Sequence, residues 1–422
     1  MKRLALCVMA LAVVSAGWSQ TLTLMNNGVV KFAAGEDQIR PYVGAVEMLV
    51  DRYAQTNGIK INMVYRDVSK GSLTFDAMLA AGNPPDVWID AGGYMPNYMN
   101  DAYALQLEKY LDLSGFREDM ISLWTRNGHV YAVPFVNIAT GMAINTDMLK
   151  EIGYELPPLA QWTTDEFMRL AARLKAAGYP ATMIMGKGGF NSWTDVWFYA
   201  HGATMFGEDK SRVAINSYEA GQALNFIRTV IDRGYTPAPL EVNDDDGVEL
   251  FTTGKVFSCM MQNGHTDYWF PEQLKQGKIA KIPGYTFIEF PHATGRAHTP
   301  VSGYQTVVIA HKQRTEALNK LVAGLVGAVT GKEMQFYYAT ITGGFPTLKN
   351  FQPDIGAAAL PSYKAIAGLA STAGSYKEWP DGPKYVEARR LWASMTEQWL
   401  RGKLTNVQLL SRFEAEANKI LK

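Results

Sequence analysis

Cysteine is nearly missing from this chain: among 422 residues only Cys7 and Cys259 carry a thiol. Cys7 lies in the first apolar run, so removal of that run leaves one thiol and no internal disulfide can form. An excess of charge is missing too. Lys+Arg and Asp+Glu both total 40, with no long block of like charge, which argues against nucleic acid or an anionic membrane surface as a partner. Catalytic and nucleotide signatures are also absent: there is no His-Glu-x-x-His, no Cys-x-x-Cys and no Gly-x-Ser-x-Gly elbow. Gly331-Lys332 lacks the rest of a phosphate loop, and Gly186-Lys187-Gly188-Gly189 lacks a third glycine in place. The six histidines are scattered, none at a metal-ligand spacing from another. No cofactor and no metal is expected.

What is present starts with a targeting layout. In MKRLALCVMALAVVSAGWSQ, Lys2 and Arg3 precede the apolar run Leu4–Val14, which is too short to span a bilayer, and small residues follow. Residues 1–19 are therefore expected to be a signal peptide. Cys7 has no hydrophobic run before it and does not suit lipid attachment. No later stretch offers an unbroken membrane span, so the mature protein is expected to be exported and soluble. A freely diffusing exported protein is retained only behind an outer membrane, which points to the periplasm.

A hydrophobic content of 47% over this length supports two domains with proper cores. Thr21–Met25 reads as a strand. Pro41–Asn57 reads as a helix, with Val46, Leu49, Val50 and Tyr53 at i, i+3, i+4 and i+7 and Gly58 as its stop. Ile59–Tyr65 alternates as a strand, Phe75–Ala81 is a second helix, and Val87–Asp90 is a third strand. Strand–helix–strand–helix–strand predicts parallel pairing through right-handed crossovers. After Asp147 the pattern is more helical. Thr163 and Glu166 predict a capping box, and Ser217–Arg233 a further helix. Strands return at Val256–Met260, Tyr285–Phe290 and Thr306–Ala310, and helices dominate from Glu316 onward. The second domain therefore reads as inserted within the first.

The stretch Gly82–Tyr94, GNPPDVWIDAGGY, ends a buried-looking strand on Asp90 and the pair Gly92-Gly93. Open α/β sheets bind ligands at such strand ends. Asn243-Asp244-Asp245-Asp246-Gly247 resembles a calcium loop only superficially: with Gly247 sixth, Val242 falls first and Thr253 twelfth, where acids are needed. It reads instead as a solvated turn that caps the helix toward Phe251. Several of the ten tryptophans stand in polar, turn-like settings, among them Phe190-Asn191-Ser192-Trp193, Asn263-Gly264-His265 with Trp269 beyond, and Glu378-Trp379-Pro380. Aromatic faces beside amides and carboxylates suit a sugar, whose C–H faces lie on rings while its hydroxyls need planar partners.

The order of these segments resembles the extracellular solute-binding proteins of carbohydrate ABC transporters, the family that includes maltose-binding protein. Besides GNPPDVWIDAGGY, the resemblance is carried by Asn127–Pro134, Ile144–Leu149 and Pro157-Pro158 with Trp162–Phe167. Phe251–Val256 with Met260–Gly264, Gly343-Gly344-Phe345-Pro346 and Gly402–Thr405 complete it, over essentially the whole mature chain. It implies a type II-like periplasmic-binding-protein fold, α/β, in which two lobes of mostly parallel sheet flanked by helices trap ligand between them. The hinge crossings fall near Phe135–Ala139, Tyr285–Phe290 and Val329–Lys332. Lobe I is then 20–136 with 291–328, and lobe II is 137–290 with 329–422. The implied ligand residues are Asp90, Trp193, Asn263, His265, Tyr304, Trp379 and Phe345, with Asn137 and Asn26 near the hinge. Trp193 and Trp379 are the stacking candidates, and Asp90 is expected to accept bonds from ligand hydroxyls. A small-molecule carbohydrate, a membrane permease as partner and a monomeric state follow from the same resemblance, with no catalysis. A secreted carbohydrate-active enzyme, a sensor feeding a receptor, and a binder of iron, polyamine or phosphate are the competing readings. Iron would require Tyr337-Tyr338 to face the cleft.

Overall fold

The computed structural model describes residues 20–31, 37–39, 42–67, 73–91, 95, 98–158, 161–207, 211–262, 264–293, 301–354, 361–364, 366 and 383–422. The expected signal peptide, 1–19, lies outside the described residues. The chain opens with strands β1 (Thr21–Lys31) and β2 (Asp37–Ile39), helix α1 (Val43–Asn57), β3 (Lys60–Asp67), α2 (Leu73–Ala80) and β4 (Val87–Ala91). Helix α3 (Glu118–Ser122), the short strands β5 (Thr125–Arg126) and β6 (His129–Val130), and the long β7 (Val133–Asn145) follow. Four helices come next: α4 (Thr146–Glu151), α5 (Thr164–Ala176), α6 (Ser192–Ala200) and α7 (Tyr218–Asp232). Then come α8 (Asp244–Thr252), β8 (Ser258–Gln262), α9 (His265–Lys275), β9 (Tyr285–Ile288) and β10 (Val301–Ile309). The last described helices are α10 (Glu316–Thr330), α11 (Lys332–Thr342), α12 (Pro383–Leu400) and α13 (Asn406–Leu421).

Two lobes follow from how the strands pair. β3, β1 and β4 are parallel, as the alternation of strand and helix predicts, with Asn26 of β1 opposite Tyr65 on one side and Ile89 on the other. β10 runs antiparallel to β4 and, on its other edge, to the first half of β7. The second half of β7, from Thr140, leaves that sheet and pairs antiparallel with both β8 and β9. Lobe II therefore departs from the expected mostly parallel pairing among its described strands. The chain enters this lobe along β7 and returns toward the first lobe, so strands beside β7 run against it.

Each lobe has its own apolar interior. In the first, α1 lays Val43, Val46, Leu49 and Val50 against Leu22, Leu24, Val87, Ile89 and the buried face of α10. In the second, Phe167, Leu170 and Leu174 of α5 pack with Leu224, Ile227 and Val230 of α7, and with Trp392, Trp399 and Phe413 of the C-terminal helices. Burying a side chain of this size is worth about 1.5–3 kcal/mol each. α11, which the expected division gives to lobe II, instead buries Met334 and Tyr338 in the first lobe's core. The following loop stays there too: Thr347 Oγ1 donates to Pro134 O at 2.7 Å and Phe116 bridges to Leu348. Gly344 is required in that loop, since a Cβ would stand 2.2 Å from Val136 Cγ2 and 2.8 Å from the Tyr338 ring.

Helix ends follow the local chemistry of their caps. Thr163 accepts from Glu166 N at 3.2 Å, but the Glu166 carboxylate turns to Tyr154 and Arg169 instead of closing the expected box. A complete capping box occurs at Asn243 and Asp246, where side chain and backbone bond reciprocally at 2.9 and 3.0 Å. The acidic run is thus the first turn of α8, where carboxylates complement the helix dipole.

Asp86 staples the first lobe. Its carboxylate accepts from Thr23 N (2.8 Å), from Arg314 Nη2 (2.6 Å) and Nε (3.0 Å), and from Lys312 Nζ (3.3 Å). Arg314 is only 2% exposed, so its charge has little water to fall back on. Asp86→Ala is expected to lower stability by about 3–5 kcal/mol, the usual effect of orphaning a buried charge. Urea denaturation with an unchanged m-value is the check.

Candidate functional site

The carboxyl ends of the parallel strands β3, β1 and β4 meet the region where β7 passes from one lobe to the other, and the sequence-selected residues can be placed around it. Asp90 closes β4 as expected, but its carboxylate is not a free acceptor. Arg66, near the end of β3, reaches past β1 and donates through Nε to Asp90 Oδ2 at 2.6 Å and through Nη2 to Oδ1. Trp88 Nε1 also donates to Oδ2 at 2.8 Å. Both members of the ion pair have side chains with no exposure. The Asp90 carboxylate, expected to face ligand hydroxyls, is thus engaged by Arg66 and Trp88. Trp88 is itself stacked on Phe75 with ring centroids 4.1 Å apart and edged by Tyr98.

Asn26 stands apart in the described polar interior, whereas Asn137 shares an unpartnered amide oxygen with Gln106, Gln273 and Asn319. Asn26 shares the β1 face of Leu22 and Leu24, and its side chain is fully buried, yet neither Oδ1 nor Nδ2 has a protein partner. Asn137 is also buried and its Oδ1 is unpartnered. Its backbone exchanges two 2.8 Å hydrogen bonds with Phe345, and it lies opposite Tyr304 of β10. Buried amides without partners are rare, because each forfeits about 1–3 kcal/mol of hydration.

Phe345 is half-buried and stacks on Tyr363, with centroids 4.7 Å apart and planes 26° apart. It packs against the apolar cluster of Met183, Met185, Val248 and Phe251 in the second lobe, although its backbone is tied to the first. Trp193 begins α6, half-buried and against both apolar clusters of the second lobe. Its position is set by Asn191, the N-cap, whose Oδ1 accepts from Trp193 N at 3.0 Å. Trp197, one turn later, is core. Asn263 and Trp379 lie outside the described residues, as do Gly92-Gly93; the side chains of His265 and Tyr304 do as well. Of the named residues, the structure thus sets Asn26, Asp90, Asn137 and Phe345 along the strands and loop at the lobe junction, and Trp193 on the second lobe.

Arg66 and Trp88 were missed by sequence reasoning, and Asn191 was read only as the polar setting of Trp193, not as its cap. Arg66 carried one signal: a long cation near the end of an alternating, half-buried strand invites an acidic partner. The Cys259 thiol is fully buried and burial pushes its pKa up, which marks it as a packing residue. Tyr338 packs between Tyr42 and Phe135 in the core, so the tyrosine pair presents no joint cation site. Among the described residues no cluster of His, Cys, Asp and Glu could hold a metal ion.

Two α/β lobes sharing one continuous strand, with aromatic and amide side chains at their junction, define a two-lobed binding-protein architecture. The chain belongs to the bacterial extracellular solute-binding protein family, whose pattern matches residues 37–336. It is similar to the lactose-binding protein of Rhizobium radiobacter, at 24% identity over 241 residues, 55% of this chain and 53% of that protein. The match thus spans about half the length of that relative. In fold it resembles an ABC transporter solute-binding protein of Thermotoga lettingae bound with α-D-tagatose (TM-score 0.75, 17% identity, 96% of this chain and 100% of that one). The cyclic α-maltosyl-1,6-maltose binding protein of Arthrobacter globiformis is similar as well (TM-score 0.73, 18% identity, 96% and 99% covered).

A buried ion pair raises stability little over an apolar pair but is damaging to break. Asp90→Ala alone is expected to destabilise the protein by about 3–5 kcal/mol, whereas Arg66→Met with Asp90→Leu recovers most of the loss. Denaturation midpoints of the single and double variants, measured without ligand, test this.

Proposed function

We propose that this protein captures a sugar between its lobes, as a periplasmic monomer, and presents it to the membrane permease of an ABC transporter. The observation that carries the reading is the buried Asn26 amide, neither of whose polar atoms has a protein partner, together with the unpartnered Oδ1 of Asn137 on β7. Asn26 offers both a donor and an acceptor, and hydroxyl groups can satisfy both at once. Half-buried Trp193 and Phe345 supply apolar ring surface of the kind a sugar's C–H faces need. A polyamine would need free carboxylates, and Asp90 is already committed to Arg66. Iron would need anionic ligands, and the described residues form no such cluster. The ligands in the names of the related proteins, lactose, tagatose and a cyclic maltose derivative, belong to one chemical class.

Capture would work by differential affinity. A ligand touching both lobes favours the closed arrangement by the contacts it makes only there. A micromolar binder has about −8 kcal/mol to divide between contacts and closure. Asp90 then acts through the strand ends it holds, and Asn26, Asn137, Trp193 and Phe345 are the described residues that would touch ligand. Asn263, His265, Tyr304 and Trp379 remain proposed members of the same wall. No catalytic step is assigned to any of them.

A thermal-shift panel of mono- and oligosaccharides, ferric citrate, spermidine and phosphate tests the assignment. A sugar at a hundredfold its Kd is expected to add about 2.7 kcal/mol to folded-state stability. Trp193→Ala should weaken that binding about tenfold or more. A shift with only a cation or phosphate would overturn the sugar assignment, and release of reducing ends from an oligosaccharide would favour an enzyme. Asn26→Leu separates ligand contact from folding. It should raise the stability of the ligand-free protein by about 1 kcal/mol, by removing an unsatisfied buried amide, while weakening sugar binding. Calorimetry and denaturation of the same preparation read both effects.

A further inference from the structure

We propose that Asp244 is a positioning residue for Trp193: its ionised carboxylate fixes the Asn191 amide in the orientation that caps α6, and protonation releases that amide and weakens ligand capture. The inference rests on Trp193 belonging to the ligand wall.

The geometry is a relay across two helix starts. Asp244 is the first residue of α8, and its Oδ1 accepts from Asn191 Nδ2. With Nδ2 so engaged, Asn191 Oδ1 is the atom left to accept from Trp193 N, at 3.0 Å. An ionised carboxylate can only accept, so it permits one orientation of the amide. A protonated carboxyl can donate as well, and an Asn191 amide turned to meet that donor loses its bond to the α6 N–H. The neighbouring contacts leave the start of α6 little other freedom. Phe190 N donates to Thr396 Oγ1 at 2.8 Å, Trp392 Nε1 donates to Asp195 Oδ1 at 2.9 Å, and a Cβ on Gly189 would collide with the backbone of Ala393.

The charged surroundings set where Asp244 titrates. Burial raises its pKa to about 6, opposed by the Asn191 hydrogen bond, raised further by Asp245 and lowered by Arg389 of α12. On the sides that remain, Asp246 of the same turn pairs with Lys187 at 3.6 Å, and the Cys259 thiol of β8 stays protonated beneath it. The sign of the linkage separates positioning from folding. A carboxyl whose folded-state pKa is raised adds stability at low pH and loses it as pH rises through about 6. Acidification therefore favours the fold at this residue while loosening Trp193. A purely structural Asp244 would move stability and binding together.

The test uses the full mature chain labelled with [15N]tryptophan, with Trp193→Phe identifying the Trp193 backbone amide. Without ligand, that resonance should titrate with a midpoint near pH 6 in the wild type and stay still in Asp244→Asn. Should Asp244→Asn not fold, Asn191→Gly keeps a usable cap and removes the amide, and it too should abolish the titration. In calorimetry with lactose and maltotriose as probes, Kd should rise several-fold from about pH 7.5 to about pH 5, a span that brackets the shifted carboxyl, and remain flat in either variant. A Trp193 amide that does not titrate in the wild type, or titrates unchanged in both variants, overturns the positioning role. A titrating amide in a protein that only a cation or phosphate stabilises in the thermal-shift panel supports the positioning and overturns the sugar reading instead.

Discussion

One strand belongs to both lobes, and most of the architecture depends on it. β7 gives its first half to β10 in one sheet and its second half to β8 and β9 in another. Every backbone N–H and C=O along it must find a partner somewhere. The strand can bend at Ala139–Thr140, but it cannot leave either sheet without breaking a ladder. The change of sheet thus falls on a short segment of one strand. It also places the residues at that segment, Asn137 and the Phe345 bonded to it, at the junction of the lobes.

The two lobes treat polar groups differently near this junction. In the first lobe, acids are consumed by structure: Asp86 gathers Arg314, Lys312 and Thr23 N, and Asp90 gathers Arg66 and Trp88. These networks pin strand ends that would otherwise fray at a surface without side-chain partners. The Asn26 amide contrasts with them, buried with neither polar atom partnered, and Asn137 leaves its Oδ1 unpartnered. A protein close to its stability threshold keeps such groups where something other than folding selects them. In the second lobe, neutral aromatic surface is aimed by caps, with Asn191 setting Trp193.

Much of the fold was legible because it was periodic. The i, i+3, i+4, i+7 pattern of α1, the alternation of β3 and the stop at Gly58 are local physics, and the described elements match them within a few residues. Parallel pairing of β3, β1 and β4 followed from the crossover helices between them. The antiparallel strands of the second lobe were not legible, since strand direction depends on where the chain must return. Nor was the home of α11: its apolar face suits either lobe, and only packing on Phe135 and Tyr42 assigns it. The Thr163 box failed half-way because Tyr154, twelve residues upstream, competes for Glu166.

The sequence by itself determined the class of the protein. The order of segments, the scarcity of cysteine, the balanced charge and the Gly-Asn-Pro-Pro-Asp-Val strand entry are all readable from neighbours in the chain. It also selected Asp90 as notable, because an acid that ends an apolar strand is a local anomaly. Only the tertiary structure decided what Asp90 does. Its partner Arg66 is 24 positions away and reaches it across an intervening strand. The same holds for Asn26, whose lack of any partner, and for Asp244, whose hold on Asn191, exist only once distant segments meet. Whether a polar group is free, paired or orphaned depends on three-dimensional proximity, which the order of residues along the chain does not encode locally.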